Sequence, residues 1–177
     1  HSVAGTHDLR VMSTGSPTIG LVEDDARVRE ALEATLASAQ DMAVAQAWSN
    51  AEDALNGWAT SCPDVVIMDI NLPGANGIDC VRGLAERWPR SQFLMYTMHD
   101  DDQRVFDALK AGANGYLLKS AKPLEIIDAI RDLLHGGSPM SASIARRVVA
   151  HLRPATTPSG LADAKLGVPR QRLHILR

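Results

Sequence analysis

From Thr18 onward, short apolar runs alternate with longer segments in which apolar residues recur at helical spacing. In the first pair, the run Thr18–Val22 precedes residues 26–38, where Val28, Leu32 and Leu36 fall on one face of a helix. Four more runs of the same kind come after it. The predicted strands are therefore Thr18–Val22, Met42–Trp48, Asp64–Met68, Gln92–Thr97 and Gly115–Lys119.

A helical segment follows each predicted strand. Pro89 and Gly112 end two of these helices, and Pro123 suits the first turn of the fifth, which stops at Gly136. The predicted helices are residues 26–38, a short helix through Trp58 capped by Ser49 or Asn50, and residues 77–88, 101–111 and 123–134. This strict alternation predicts parallel strands with right-handed crossovers, and hence an open α/β sheet with helices on both faces.

The two ends of the chain lack this regularity. The first residues are rich in small polar side chains and are predicted to be a flexible leader or tag. After Gly137, Ser141 or Ser143 caps one further helix that reaches about Leu152, and a run rich in Pro, Thr and Gly then has the composition of a linker. The predicted divisions are 1–17 (leader), 18–137 (domain), 138–153 (linker helix) and 154–177 (linker and C-terminal tail).

The composition fits a globular chain. Of its 177 residues, 45% are hydrophobic and 22% are charged, which excludes a chain that is disordered throughout. No apolar run approaches the roughly 18–20 residues of a membrane span, and the N-terminus lacks the apolar segment of a secretory signal. Cys62 and Cys80 are too few for a disulfide framework or a zinc site, so we expect a reduced, cytoplasmic setting and no membrane partner.

The charge is unevenly distributed. Residues 153–177 contain five basic residues and one acidic residue, so this tail has a net charge of +4. Since the whole chain has a net charge of −3, residues 1–152 have a net charge of −7. A net negative charge on residues 1–152 argues against nucleic-acid binding by this part of the chain.

Polar side chains stand at the ends of four predicted strands. Glu23 and Asp24 follow the first and Asp69 the third, while Thr97 and Lys119 end the fourth and fifth. Because the carboxyl ends of parallel strands share one edge, we expect these side chains in one crevice. Three neighbouring carboxylates repel one another unless a cation lies between them. Carboxylate oxygens beside a phosphoryl oxygen favour Mg²⁺.

Asp69 opens the turn DINLPG, which adds the backbone carbonyl of Asn71 as a further oxygen ligand. An aspartate beside Mg²⁺ and an ammonium group is a nucleophile toward phosphorus and gives an aspartyl phosphate. In this arrangement Asp69 is the candidate phosphoacceptor and Lys119 offsets charge on the transferring phosphoryl group. The Thr97 hydroxyl donates to one of its oxygens.

Four motifs that close predicted strands make residues 18–137 resemble the receiver domain of two-component response regulators. They are LVEDD at 21–25, MDINLPG at 68–74, YT at 96–97 and GYLLK at 115–119. The resemblance implies a flavodoxin-like sheet of order 2-1-3-4-5, a sensor histidine kinase as partner, and a phosphoacceptor rather than an enzyme. It implies Asp69 as phosphoacceptor, Lys119 as counter-charge, and Thr97 with Tyr116 as the switch pair. The Mg²⁺ ligands that it implies are Glu23, Asp24, Asp69 and the Asn71 carbonyl.

The sequence departs from the family pattern after Lys119, where many members have proline and this chain has Ser120. A cis Lys119–Ser120 bond would cost about 3 kcal/mol or more, so the sequence leaves the isomer of this bond open. Asp25 lies just past the acidic pair and is expected to face solvent. His99 is expected in an exposed loop at the rim of the crevice.

Each motif also has a structural explanation. Carboxylates at a strand end often cap a helix, and Asp69 before Pro-Gly fits an Asx turn. An aspartyl-phosphate phosphatase of the haloacid dehalogenase type is the enzymatic alternative, but the second aspartate of its motif is Asn71 here. A flavodoxin-type small-molecule binder would need a phosphate-binding loop where residues 23–25 are acidic.

The chain after the domain is similar to regulators that carry a LuxR-type helix-turn-helix output domain, the NarL/FixJ class. Residues 138–148 resemble the linker helix of that class, and 168–176 loosely resemble the opening of its DNA-binding domain. We therefore expect residues 154–177 to be a linker and the truncated start of an output domain, with DNA binding only in a longer form. Self-association through residues 101–135 is expected to respond to phosphorylation. A stand-alone receiver that acts by protein–protein interaction is the alternative.

Overall fold

The computed structural model describes residues 15–154. These residues form five strands, β1 to β5, and six helices, α1 to α6. The strands are Thr18–Val22 (β1), Ala43–Trp48 (β2), Val65–Met68 (β3), Gln92–Thr97 (β4) and Gly115–Leu118 (β5). The helices are Ala26–Ala37 (α1), Ala51–Gly57 (α2), Gly77–Arg87 (α3), Asp102–Ala111 (α4), Pro123–Leu134 (α5) and Ala142–Leu152 (α6).

The strands pair in the order β2-β1-β3-β4-β5, and every neighbouring pair is parallel. The central strand β3 is buried along its whole length, as its uninterrupted apolar sequence requires. Helices α1 and α5 pack against each other, whereas α3 packs against both α2 and α4. The predicted flavodoxin-like α/β sheet and its C-terminal helix are confirmed.

Most elements begin or end within one residue of their predicted bounds, and the structure identifies the residues that cap α2 and α4. Asp101 is the N-cap of α4, where its side chain accepts a hydrogen bond from the Arg104 backbone N–H. Asn50, rather than Ser49, caps α2 by accepting from the Asp53 backbone N–H. Caps satisfy the free backbone groups of the first turn and lie outside the helix itself.

A short segment after α5 adds to the sheet in a way that the pattern of strands does not predict. Met140 forms an isolated parallel bridge with Tyr116 of β5, and α6 begins two residues later. The compact unit that carries the sheet ends at Ala145, and a second unit begins at Arg146, inside α6.

Residues 1–14 of the predicted leader and residues 155–177 of the predicted tail lie outside the described residues. Among residues 15–154, the structure contains no helix of the length and hydropathy that spanning a membrane requires.

Candidate functional site

Three carboxyl groups meet at the carboxyl ends of β1 and β3. Ligand oxygens of Glu23, Asp24 and Asp69 lie within 4.8 Å of one another. Glu23 and Asp69 are buried, with 2% and 4% of their surface exposed, whereas Asp24 is exposed. The parallel pairing of β1 with β3 brings these groups together, because Val22 pairs with Met68 immediately before them.

Lys119 reaches this acidic cluster from the end of β5. Its Nζ lies 2.8 Å from Asp69 Oδ2 and 3.0 Å from Glu23 Oε1, and its side chain is 16% exposed. The backbone N–H of Lys119 donates to the Thr97 carbonyl at 2.9 Å, which fixes the point where the side chain leaves the sheet. One ammonium group therefore pairs with two buried carboxyl groups that are 46 residues apart in sequence.

The crowding changes the protonation of the buried groups. Burial, together with hydrogen bonding and repulsion from Asp69, raises the pKa of Glu23 from 4.5 to about 7, although Lys119 opposes the change. For Lys119, burial opposes the charged form, but its bonds to Asp69 and Glu23 prevail and the pKa is raised. Lys119 thus stays cationic.

Backbone groups orient the Asp69 carboxyl. Its Oδ1 accepts a hydrogen bond from the Ile70 N–H at 2.7 Å, which leaves Oδ2 facing Lys119. The first turn of α3 passes so close that a Cβ at Gly77 would lie 1.7 Å from the Asp69 backbone oxygen. Glycine at position 77 therefore allows α3 to start against the site, a requirement that the sequence pattern does not reveal.

A second chain of contacts runs from Thr97 to Tyr116 through the backbone of His99. The His99 N–H donates to Thr97 Oγ at 3.4 Å, and the His99 carbonyl accepts from the Tyr116 hydroxyl at 2.6 Å. Thr97 and Tyr116 are fully buried. Burial raises the pKa of Tyr116, so its hydroxyl remains a donor.

His99 is half-buried, so its expected exposure is wrong in degree: the two hydrogen bonds hold the loop against the sheet. Asp25 is exposed as expected, and it accepts hydrogen bonds from the backbone N–H groups of Arg27 and Val28 as the N-cap of α1. Asn71 is exposed in the turn after Asp69. The Lys119–Ser120 bond is trans, since residues 15–154 contain no cis peptide.

The donor set suits a hard divalent cation. Within the described residues, Glu23 Oε2 is buried without a hydrogen-bond partner, and it belongs to the same cluster as Asp24 and Asp69. A buried carboxylate oxygen normally has a partner, and an oxygen-lined cluster of this kind fits Mg²⁺. The acidic cluster is thus consistent with the Mg²⁺ site of a receiver domain.

Comparison with known proteins identifies the family of this chain. Residues 19–131 match the family described as "Response regulator receiver domain". The chain is 30% identical to the transcriptional regulatory protein DegU of Brevibacillus brevis over 162 residues, 89% of this chain and 69% of that protein. It is 29% identical to the nitrate/nitrite response regulator protein NarL of Escherichia coli K12, over 91% of this chain and 74% of that protein. The chain therefore belongs to the response regulator receiver domain family.

Solved structures support the same family. A two-component response regulator of the LuxR family from Aurantimonas sp. SI85-9A1 superimposes with a TM-score of 0.72 at 32% identity, covering 77% of this chain and 98% of that one. The response regulator ChrA of a heme-sensing two-component system gives a TM-score of 0.62 at 28% identity, covering 90% of this chain and 80% of that one. The chain is a two-component response regulator receiver with NarL-family homologues.

Proposed function

We propose that Asp69 accepts a phosphoryl group from a sensor histidine kinase and that the modified site then switches the surface of the receiver. The observation that carries this proposal is the pairing of Asp69 with Lys119, 2.8 Å apart, inside a cluster of carboxyl groups. Lys119 holds one oxygen of the Asp69 carboxyl, and the Ile70 N–H holds the other. An oriented carboxylate is the form that attacks phosphorus.

In the proposed transfer, an Asp69 carboxylate oxygen forms a bond to phosphorus while the phosphorus–nitrogen bond of the donor phosphohistidine breaks. The electron pair of that bond leaves with the imidazole nitrogen, which takes up a proton. With acetyl phosphate as donor, the phosphorus–oxygen bond breaks and acetate leaves. In this proposal, Lys119 and the Thr97 hydroxyl stabilise charge on the phosphoryl oxygens.

The proposed metal ligands are Glu23, Asp24, Asp69 and the backbone carbonyl of Asn71. When bound, Mg²⁺ would offset the negative charge that gathers around the phosphoryl group. Glu23 and Asp24 contribute by holding carboxylate oxygens on the β1 side of Asp69.

The proposed switch pair is Thr97 and Tyr116. A phosphoryl group on Asp69 draws the Thr97 hydroxyl toward it, and His99, whose backbone bonds to both residues, moves with it. The fourth and fifth helices with β5, residues 101–135, form the surface that we expect to respond and to support a homodimer.

The relatives support a role in transcription. DegU is a transcriptional regulatory protein, and DevR/DosR of Mycobacterium tuberculosis, 33% identical over 81% of this chain, is a DNA-binding transcriptional activator. We propose that this receiver controls transcription through a helix-turn-helix output region, with residues 138–153 as linker helix and residues 154–177 as the start of that region.

The test is phosphorylation by acetyl phosphate in Mg²⁺, followed by intact mass measurement. The wild-type chain should gain one phosphoryl group, and Asp69→Asn should gain none. Asp64→Asn is a matched control, because Asp64 precedes β3 and Asp69 follows it. Persistent modification of Asp69→Asn, or equal loss in both variants, would contradict the assignment of Asp69.

A metal experiment tests the ligand set separately. Mg²⁺ should raise the melting temperature of the wild-type chain, because a ligand that binds only the folded state stabilises it. Asp24→Asn should reduce this rise, whereas Asp25→Asn should keep it, since Asp25 caps α1. If both variants respond to Mg²⁺ like the wild type, Asp24 is not a ligand.

A further inference from the structure

The outer edge of β5 is covered by the segment that leads into α6. The Tyr116 N–H donates to the Pro139 carbonyl at 2.9 Å, and the Ser141 N–H donates to the Tyr116 carbonyl at 3.0 Å. The Leu118 N–H donates to Ser141 Oγ at 3.0 Å. An edge strand normally leaves such groups open to other chains. Here residues 139–141 occupy them.

The segment fits this edge closely. Pro139 and Met140 are half-buried and Ile144, in the first turn of α6, is fully buried. A Cβ at Gly115 would lie 2.8 Å from the Pro139 oxygen, so the segment passes directly over β5 where β5 has no side chain. Ser141 is also the residue whose carbonyl accepts from the Ala145 N–H in the first turn of α6. Its position therefore sets where α6 begins.

Tyr116 is the residue that joins this edge to the loop that follows Thr97. Its side chain bonds to the His99 carbonyl, and its backbone bonds to Pro139 and Ser141 on the other side. His99 is in turn bonded to Thr97. A continuous run of hydrogen bonds thus leads from Thr97 to Ser141, the residue immediately before α6.

We propose that Ser141 is a positioning residue that docks the linker on β5, and that phosphorylation of Asp69 tightens this docking through Tyr116. The coupling rests on the proposed function of Asp69. A phosphoryl group that engages the Thr97 hydroxyl restricts residues 97–99, and a restricted loop holds Tyr116 in its buried position. Openings of the 139–141 edge then become rarer.

The docking also affects how a second copy can bind. While residues 139–141 are in place, the outward N–H groups of Tyr116 and Leu118 are occupied. A homodimer through residues 101–135 must then use the surfaces of α4 and α5 rather than strand pairing at β5.

Amide hydrogen exchange on the full chain tests the docking without any phosphodonor. Ser141→Ala removes the acceptor for Leu118, so exchange of the Leu118 amide should accelerate about three- to tenfold, the range expected for the loss of one hydrogen bond. Ser143→Ala is the matched control, since Ser143 is exposed on the same helix. Its Leu118 exchange should stay within about twofold of the wild type. Equal exchange in the two variants would overturn the docking role.

The coupling is tested by repeating the measurement after acetyl phosphate treatment, with the extent of modification read by intact mass. In the wild type and Ser143→Ala, exchange at the Leu118 and position-141 amides should slow at least about threefold. In Ser141→Ala and Tyr116→Phe, compared with the wild type at an equal extent of Asp69 modification, exchange at these two amides should not slow.

The outcomes separate the two proposals. If Asp69 takes up no phosphoryl group, the proposed function fails, and the comparison of Ser141→Ala with Ser143→Ala still decides the docking. If Asp69 is modified and exchange at positions 118 and 141 is unchanged or faster, the coupling is overturned and the proposed function stands.

Discussion

The sheet has polar side chains both at the carboxyl ends and at the amino ends of its strands, and the two regions arrange them differently. We call the first region the charged edge and the second the amino-terminal edge. At the carboxyl ends of the strands, Glu23 and Asp69 are buried side by side with Lys119 as their shared cation. At the amino ends, Asp64 accepts hydrogen bonds from the backbone N–H and the hydroxyl of Thr18. The charged edge therefore holds two buried carboxyl groups on one lysine, whereas at the amino-terminal edge a carboxylate is hydrogen-bonded to neutral donors.

The amino-terminal edge also shows that a cavity alone does not mark a functional site. A cavity of about 390 Å³ lies there, beside Cys62 and Trp88. Two of its polar side chains pair with nearby backbone groups: the Trp88 indole donates to the Trp58 carbonyl, and the Ser91 hydroxyl donates to the Pro63 carbonyl. At the carboxyl edge, by contrast, Glu23 Oε2 is buried without a partner within the described residues. Unbalanced charge, rather than volume, distinguishes the candidate site.

The largest expected effect comes from removing the cation of the charged edge. Lys119→Met should slow phosphorylation of Asp69 by acetyl phosphate on the order of a hundredfold, the usual cost of losing one group that stabilises transferring charge. The rate is measured by intact mass at saturating Mg²⁺. Lys110→Met, an exposed lysine of α4, is the control and should keep the wild-type rate. A rate for Lys119→Met equal to that of the control would remove Lys119 from the mechanism.

The side chains at the carboxyl ends of the strands are predictable from the sequence, whereas the contacts around them are less so. Glu23, Asp69 and Lys119 follow apolar runs, and the rule that parallel strands end at one edge is enough to bring them together. The five strands were predictable for the same reason, because alternating buried strands and amphipathic helices have few compatible topologies.

Contacts that depend on backbone position could not be predicted in this way. The bridge between Met140 and Tyr116 joins a segment with no strand-like pattern to β5, and its hydrogen bonds come mainly from backbone groups that every residue has. The same holds for His99, which links Thr97 to Tyr116 through its own N–H and carbonyl. Side-chain type carries no signal for such contacts.

A smaller effect is expected on the free energy of unfolding, and its sign should differ between the charged edge and the amino-terminal edge. Glu23→Gln, measured in a chelator, should raise the free energy of unfolding by about 1 kcal/mol, because it removes a buried charge next to Asp69. Asp64→Asn should lower it by about 1 kcal/mol, because it weakens two charge-assisted hydrogen bonds to Thr18. Urea denaturation gives both values. Loss of stability in both variants would show that the charged edge is not under strain.

The smallest expected effect lies between the two edges, on the outer side of α3. Gly83 is exposed in the interior of that helix, and a Cβ there would lie 3.6 Å from Leu55 Cδ2, an ordinary contact. Gly83→Ala should therefore raise the free energy of unfolding by about 0.5–1 kcal/mol, because alanine loses less backbone freedom than glycine on entering a helix. Urea denaturation measures the gain, and the rate of Asp69 phosphorylation should not change. A variant that gains stability and also loses phosphorylation would mean that α3, which starts against Asp69, transmits changes in stability to the charged edge.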